Sequence, residues 1–367
     1  MPRVLSIARY HHPTMEKKVA LMASEPGWQV WLFRPSVWRD GYGVTRPDAG
    51  AGSVYRVVSA PMIGRPTDPH RALYRSFTFA LRACRPDLIH AEEEPDSLTG
   101  LQIAVARRLL APGAKLLWHT WQNVDRPRTW PVRAVTRFNL RQATAVVCAN
   151  REAVDVLRTM GFTGPAPVVP PQGVDTAVFH AGGPRAVRAP YTVGFVGRFV
   201  PEKGVDVLLD AVRRLARPVR VHLIGQGSER ARLQALAGAT GAEVTFIGPA
   251  PPERLAALYQ ELDVLVLPSR TTAVWKEQFG RVLIEAMACG VAVVGSASGA
   301  IPEVIGDAGL TFPEGDAPAL AGVLGRLLAA PELRAELSRR GAERVQAHFT
   351  QERIAARTLE LYRQVLG

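Results

Sequence analysis

The chain has 367 residues, 47% of them hydrophobic, and a formal net charge of +12; a mean hydropathy of +0.02 and this length exclude a disordered chain and suit two folded cores. No stretch reaches the roughly 18 apolar residues of a membrane span, and the start MPRVLSIARYHH lacks the apolar core of a signal peptide. Three cysteines without CxxC spacing exclude a disulfide framework or a zinc site, so a cytoplasmic protein is expected, at most peripheral on the inner face of the membrane.

In chain order, the first predicted strand covers residues 3–8, and further strands fall at 30–33, 88–90, 115–118 and 145–148 with helical stretches between several of them. Strands alternating with helices imply parallel sheets covered on both faces. The loop after the first strand reads Arg9-Tyr10-His11-His12-Pro13-Thr14, without glycine, and Thr14 is a candidate cap for the next helix. The acidic run Glu92-Glu93-Glu94 follows another strand, and reads equally as the lining of a ligand cleft or as a solvated loop. In the segment WHTWQN, His119 follows the strand at 115–118, and Gln122 and Asn123 have side chains that hydrogen-bond hydroxyls; a partly buried loop histidine is the plainer reading. The densest basic segment is RPRTWPVRAVTRFNLRQ, with Arg133, Arg137 and Arg141 four apart and Trp130, Val132, Val135 and Phe138 nearby. Such a face docks on anionic lipid headgroups, or is simply the solvated side of an ordinary helix. Residues 1–185 carry 24 Lys and Arg against 14 Asp and Glu, so most of the excess charge lies in this half. The pI near 10.2 comes with no helix-turn-helix, finger or RNA-binding signature, and no nucleic-acid partner is expected.

Residues 181–190 are polar and turn-rich, the best linker candidate. Beyond them a strand at 191–195 leads into Gly197-Arg198-Phe199-Val200-Pro201-Glu202-Lys203-Gly204 and a helical pattern. Arg198 and Lys203 therefore lie on a glycine-bounded loop at the carboxyl edge of a parallel sheet, where open α/β sheets bind ligands; a planar fork and a point charge there suit a diphosphate. Strands at 219–224, 243–247, 264–267 and 291–294 continue the alternation. At KEQFGRVLIEAMACG, apolar Val282, Leu283, Ala286 and Met287 recur on one face of a helix over 281–289 that starts at Gly280 and ends at Gly290. Glu277 precedes that helix and Glu285 lies about a turn and a half inside it. The unpartnered first-turn N–H groups favour an anion, while the plain alternative pairs Glu285 with Arg281 on a solvated face. No repeat with a period of 20–50 residues is present.

GFVGRFVPEKG together with EQFGRVLIEAMACG resembles the donor site of the retaining glycosyltransferases of GT-B fold, the family 4 or group 1 type that includes bacterial mannosyl- and glucosyltransferases and glycogen synthases. Pro171-Gln172-Gly173-Val174-Asp175, Leu223-Ile224-Gly225-Gln226-Gly227, Phe246-Ile247-Gly248, Leu267-Pro268-Ser269 and Gly299-Ala300-Ile301-Pro302-Glu303 support it in order. The resemblance implies an α/β fold of two Rossmann-like β/α/β domains facing across a cleft. They are an acceptor domain over 1–183 that regains a C-terminal helix over 351–367, and a donor domain over 184–350. It implies a hexosyltransferase acting with retention, with a nucleotide-diphosphate sugar as co-substrate, no cofactor and no metal, in cell-envelope glycan, glycolipid or secondary-metabolite synthesis. Its donor site maps to Gly197, Arg198, Lys203, Glu277, Phe279, Gly280 and Glu285, with His119, Glu277, Arg198 and Lys203 catalytic. On the acceptor side, His11, His12, Glu93, Gln122 and Asn123 are the candidates for a glycan, lipid or small-molecule acceptor. The loop after the first strand departs from the family, which commonly has a glycine pair there.

Three rivals stand beside this reading. An epimerase of the same fold would leave an altered sugar on its nucleotide, and a non-catalytic binding protein would take donor without turnover. A nicotinamide oxidoreductase is disfavoured because Arg230 stands where Gly225-Gln226-Gly227 would need a third glycine.

Overall fold

The computed structural model describes residues 1–10, 13–40, 43–46, 54–65, 68, 71–182 and 190–367. They form two units, Met1–Gly173 with Gln351–Gly367, and Val174–Thr350. The boundary thus falls ten residues before the expected 183/184. The reason is packing: Val174 and Phe179 join the core of the second unit, Val174 N donates to Phe349 O at 2.7 Å, and Gln260 Nε2 donates to His180 O at 2.9 Å. Residues 183–189 of the expected linker lie outside the described residues.

The sheet of the first unit contains β1 (Arg3–Ile7), β2 (Gln29–Pro35), β3 (Arg56–Ala60), β4 (Leu88–Ala91), β5 (Lys115–Thr120) and β6 (Ala145–Cys148). Its order is β6-β5-β4-β1-β2-β3, with every neighbouring pair parallel. Side chains alternate across it, as strand geometry requires. Leu5, Ile7, Ile89, Leu116, Trp118 and Val146 face a core shared with α2 (Phe77–Cys84), α3 (Leu98–Leu110), α4 (Trp130–Gln142) and α5 (Arg151–Thr159). Val4, Leu32, Leu88, Leu117 and Val147 face the opposite way, against α1 (Lys17–Ser24) and α13 (Gln351–Leu366). The C-terminal helix therefore completes the first unit. Two short antiparallel hairpins, Trp38–Asp40 with Gly43–Thr45 and Met62–Gly64 with Ala72–Tyr74, follow β2 and β3.

The second unit repeats the plan with β7 (Tyr191–Val196), β8 (Val219–Ile224), β9 (Glu243–Ile247), β10 (Val264–Leu267), β11 (Ala292–Ser296) and β12 (Gly309–Phe312), again all parallel, in the order β9-β8-β7-β10-β11-β12. Around it run α6 (Val205–Arg213), α7 (Arg230–Gly238), α8 (Pro252–Gln260), α9 (Arg281–Ala288), α10 (Ile301–Ile305), α11 (Ala317–Ala329) and α12 (Pro331–His348). Both sheets thus reverse their strand order once, between β1 and β4 and between β7 and β10. Ligands of open α/β sheets bind at the carboxyl ends of strands at such a reversal. Edge strands β3 and β12 escaped the sequence reading because Arg56–Ala60 and Gly309–Phe312 are short, half-exposed segments with weak alternation.

Candidate functional site

At the reversal in the second unit, the loop after β7 brings Lys203 and the loop after β10 brings Glu277. Lys203 Nζ lies 2.6 Å from Glu277 Oε2, which also accepts from Ser269 Oγ at 2.8 Å. Glu277 is buried, and the Lys203 ammonium also lies 4.8 Å from the centre of the Trp275 ring. The loops approach so closely that only glycine fits at position 204: with φ 64, a Cβ there would sit 2.1 Å from the Pro268 carbonyl oxygen. Arg198 is 54% exposed, and its ion pair with Glu202 is long, at 3.9 Å.

Two helices start beside this pair, α6 at Gly204 and α9 at Gly280, and neither has a side-chain cap. Their first-turn N–H groups and dipoles make both helix starts positive and rich in donors. Phe279 is buried against Phe349 at 5.9 Å between ring centres, which anchors the start of α9. Glu285, deeper in α9, accepts from Arg281 Nε and from Tyr259 OH, both at 2.9 Å. The Arg281 pairing is therefore real, yet Glu285 is 3% exposed and not on a solvated face. Burial pushes its carboxyl up, and Arg281 and the Tyr259 hydroxyl pull it partly back.

Gly225 has a packing role. With φ 140, a Cβ there would lie 1.9 Å from the Gly197 carbonyl oxygen, so the loops after β7 and β8 press together, tied by Gly197 N to Ile224 O at 3.0 Å and Phe199 N to Gln226 O at 2.8 Å. The glycines that suggested a dinucleotide loop hold the Arg198 loop in place.

The first unit treats its charges differently. The run 92–94 is not a solvated loop, since each of its carboxylates is tied to partners within the unit. Arg9 holds Glu93 with Nε to Oε1 at 2.7 Å and Nη2 to Oε2 at 2.9 Å, Lys18 pairs with Glu92, and Glu94 accepts from Thr120 Oγ1 at 2.5 Å and Trp121 N at 2.9 Å. Glu93 is thus a buried structural partner. Gln122 donates to Asp96 Oδ1 at 2.8 Å and accepts from Arg128 Nη2 at 2.9 Å, and Asn123 donates to Glu152 at 3.2 Å, so both amides already serve local bonds. His119 is inside β5, one residue before its end at Thr120, and 1% exposed; the strand runs beyond the expected 118. His11 and His12, with the side chain of Thr14, lie outside the described residues.

In α4, Arg133, Arg137 and Arg141 share an exposed face, while Thr136, Asn139 and Leu140 are buried; Trp130, at the helix start, is 75% exposed. No helix among the described residues is long and apolar enough to cross a membrane.

Sequence reading gave no role to Ser269, Trp275 or Tyr259. Ser269 stands just past β10 at the strand reversal, a signal that was available. Trp275 and Tyr259 reach Lys203 and Glu285 only through tertiary folding.

Comparison with known proteins matches residues 20–178 to the model described as Glycosyltransferase Family 4 and residues 184–344 to that described as Glycosyl transferases group 1. A D-inositol 3-phosphate glycosyltransferase of Mycobacteroides abscessus is 35% identical over 204 residues, 51% of this chain and 45% of that one. A phosphatidyl-myo-inositol mannosyltransferase of Mycolicibacterium smegmatis is 35% identical over 208 residues, 54% of this chain and 52% of that one. The matches thus span about half the length of these curated relatives. Among solved structures, Anabaena Alr3699/HepE in complex with UDP aligns with a TM-score of 0.74 at 17% identity, covering 99% of this chain and 100% of that one. Sucrose-phosphate synthase from Thermosynechococcus elongatus gives 0.72 at 24% identity, covering 100% and 99%. These likenesses establish the GT-B fold.

Proposed function

The chain belongs to the glycosyltransferases of the family 4 and group 1 type, and from that premise we propose that it moves a hexosyl group from a nucleotide-diphosphate sugar to an acceptor hydroxyl, with retention at the anomeric carbon. The observation that carries this is the meeting of Lys203 and Glu277 at the strand reversal of the second unit, between two uncapped helix starts and with buried Glu285 beyond.

In this reading the diphosphate sits between Arg198, Lys203 and the start of α9 near Phe279 and Gly280. Glu285, oriented by Tyr259, accepts the ribose hydroxyls, and Glu277 accepts hydroxyls of the transferred sugar. As the bond from the anomeric carbon to phosphate breaks, negative charge grows on the diphosphate, and fixed cations stabilise that state more than the ground state. The leaving phosphate takes the proton of the acceptor hydroxyl as that oxygen attacks the same face of the sugar. No protein nucleophile or metal ion enters this scheme.

The acceptor is of the phosphate-bearing polyol class, free or on a lipid. The named acceptors of the relatives, D-inositol 3-phosphate and phosphatidyl-myo-inositol, support this, as does the basic excess of residues 1–185. The exposed arginines of α4 and Trp130 suit a cytoplasmic enzyme resting on an anionic membrane, in cell-envelope glycan or glycolipid synthesis.

The test is thermal-shift screening against UDP-, GDP- and ADP-sugars, since a ligand of the folded state raises its stability, followed by product analysis with inositol phosphate and phosphatidylinositol acceptors. A glycosylated acceptor of unchanged anomeric configuration is expected. An altered sugar still on its nucleotide would make the protein an epimerase, and binding without turnover would make it a sensor.

A further inference from the structure

Seven of the twelve large apolar side chains left exposed among the described residues fall between positions 63 and 110. They cluster because the elements that carry them pack together within the first unit. On α3, exposed Leu98, Val105 and Leu109 are seven and four residues apart, which sets them on one outward stripe. Beside it, α2 holds out Phe79, 65% exposed, between exposed Arg75 and Arg82. In the hairpin of Met62–Gly64 with Ala72–Tyr74, Ile63 and Leu73 are paired directly across the strands and both exposed, so they share one side. Gln102 of α3 ties this hairpin down: its Nε2 donates to Tyr74 O at 2.6 Å and its Oε1 accepts from Tyr74 N at 2.8 Å, while Thr99 Oγ1 donates to Ala72 O at 2.7 Å. Arg107 Nε donates to Ala114 O at 2.8 Å, which leaves Arg108 as the one exposed polar side chain of α3. A helix that is apolar on its outer side as well as its inner side is one that something covers.

Charge decides what the cover is. Residues 62–85 and 98–110 contain seven arginines and a single acid, Asp68, which pairs with Arg71 at 3.7 Å. Exposed Arg75, Arg82 and Arg108 lie among the apolar side chains themselves. A second copy of the chain fits this poorly, since a two-fold contact sets arginine against arginine. An anionic bilayer fits it well, taking apolar side chains below the headgroups and arginines beside the phosphates.

We propose that α2, α3 and this hairpin form a bilayer-inserting face of the first unit, with Phe79 and Leu109 as its main apolar anchors. This deepens the membrane reading under Proposed function and rests on it. α4 also packs on α3, so its arginines extend the positive field, but Trp130 is its one exposed large apolar side chain. Attraction is thus shared with α4, and insertion belongs to α2, α3 and the hairpin. The α3 helix follows β4, so Leu98 stands towards the carboxyl edge of the first sheet and Leu109 towards the opposite edge, about 16 Å along the helix. A membrane lying along α3 then runs beside the carboxyl edge.

Flotation of the full chain with phosphatidylcholine vesicles containing phosphatidylserine tests this. The variants are Phe79→Ser with Leu109→Ser, Arg82→Glu with Arg108→Glu, and Leu236→Ser as an exposed apolar control in the second unit. The serine pair should lower the partition coefficient about tenfold or more, at low and high salt alike, with the thermal midpoint and donor affinity unchanged. The glutamate pair should lower it about tenfold or more at low salt and much less at about 1 M salt, where charges are screened within about 3 Å. Leu236→Ser should bind as the wild type does. Binding that survives the serine pair but is lost on reversing Arg133, Arg137 and Arg141 would overturn insertion at this face and leave the membrane reading standing. A wild type that binds no vesicle would overturn both, and if it also self-associates in a way that the serine pair abolishes, the occupant is a second copy. Donor affinity, read separately by calorimetry, reports on the glycosyltransferase reading and is independent of all these outcomes.

Discussion

The two sheets have the same strand order and the same reversal, yet they fill that place in opposite ways. In the first unit the reversal is closed by pairs that satisfy each other: Arg9 grips both oxygens of Glu93 and also Thr99 Oγ1 at 3.0 Å, and Lys18 is 2% exposed against Glu92. In the second unit Lys203 holds a single carboxylate oxygen of Glu277, Arg198 is largely exposed, and two helix starts lack caps. Charges at one reversal are spent on the fold, and those at the other are, in the proposed function, set out for a ligand. Position in a fold therefore identifies a candidate site, and the saturation of its charged groups separates a structural reversal from a candidate ligand site.

The largest effects are expected in the second unit. Lys203→Ala should lower transfer on the order of 10²–10³-fold, the scale for removing a preorganised charge from the transition state, with the thermal midpoint little changed. Glu277→Gln should do the same, since it changes the carboxylate that Lys203 and Ser269 hold in the proposed donor site. Arg9→Ala should behave the other way, costing about 3 kcal/mol of stability by stranding buried Glu93, with nucleotide affinity unchanged in calorimetry.

A pH series sharpens the contrast further. Burial raises Glu94 to about 7, against the downward pull of Thr120 and the Trp121 amide. For an acid whose folded value lies above its unfolded one, the folded state binds the extra proton, so its contribution to stability is present at low pH and is lost as pH rises from about 4.5 towards 7. Glu94→Gln should therefore flatten the fall in thermal midpoint between pH 5 and 8, as scanning calorimetry would show, without affecting donor binding. The smallest effect is expected at the surface. Charge reversal at Arg133, Arg137 and Arg141 should weaken binding to phosphatidylserine vesicles, by about 1 kcal/mol per residue at low salt, and leave transfer to a soluble acceptor intact.

The second unit was the more legible of the two in sequence because its groups are local. Arg198 and Lys203 share one loop, and Glu277, Gly280 and Glu285 lie on one loop and helix, so spacing alone sets them on common faces. Strands β6, β8, β9 and β10 were bounded correctly for a similar reason, being continuous apolar or alternating runs flanked by turn residues. In the first unit the deciding contacts are remote. Arg9 and Glu93 are 84 residues apart and Tyr362 and His90 are 272 apart, and no local pattern foretells such pairing. The acidic run read equally as a ligand surface or a solvated loop because sequence shows charge without showing its partner.

In the proposed function the second unit grips a nucleoside diphosphate through Lys203, the helix starts and Glu285. Isothermal titration of UDP and GDP into the wild-type chain, Lys203→Ala and Glu285→Ala tests it without need of an acceptor. At least one nucleotide should bind the wild type with its Kd raised about tenfold or more in each variant, the cost of one charge-assisted hydrogen bond. A Kd that is the same in all three proteins would contradict the account.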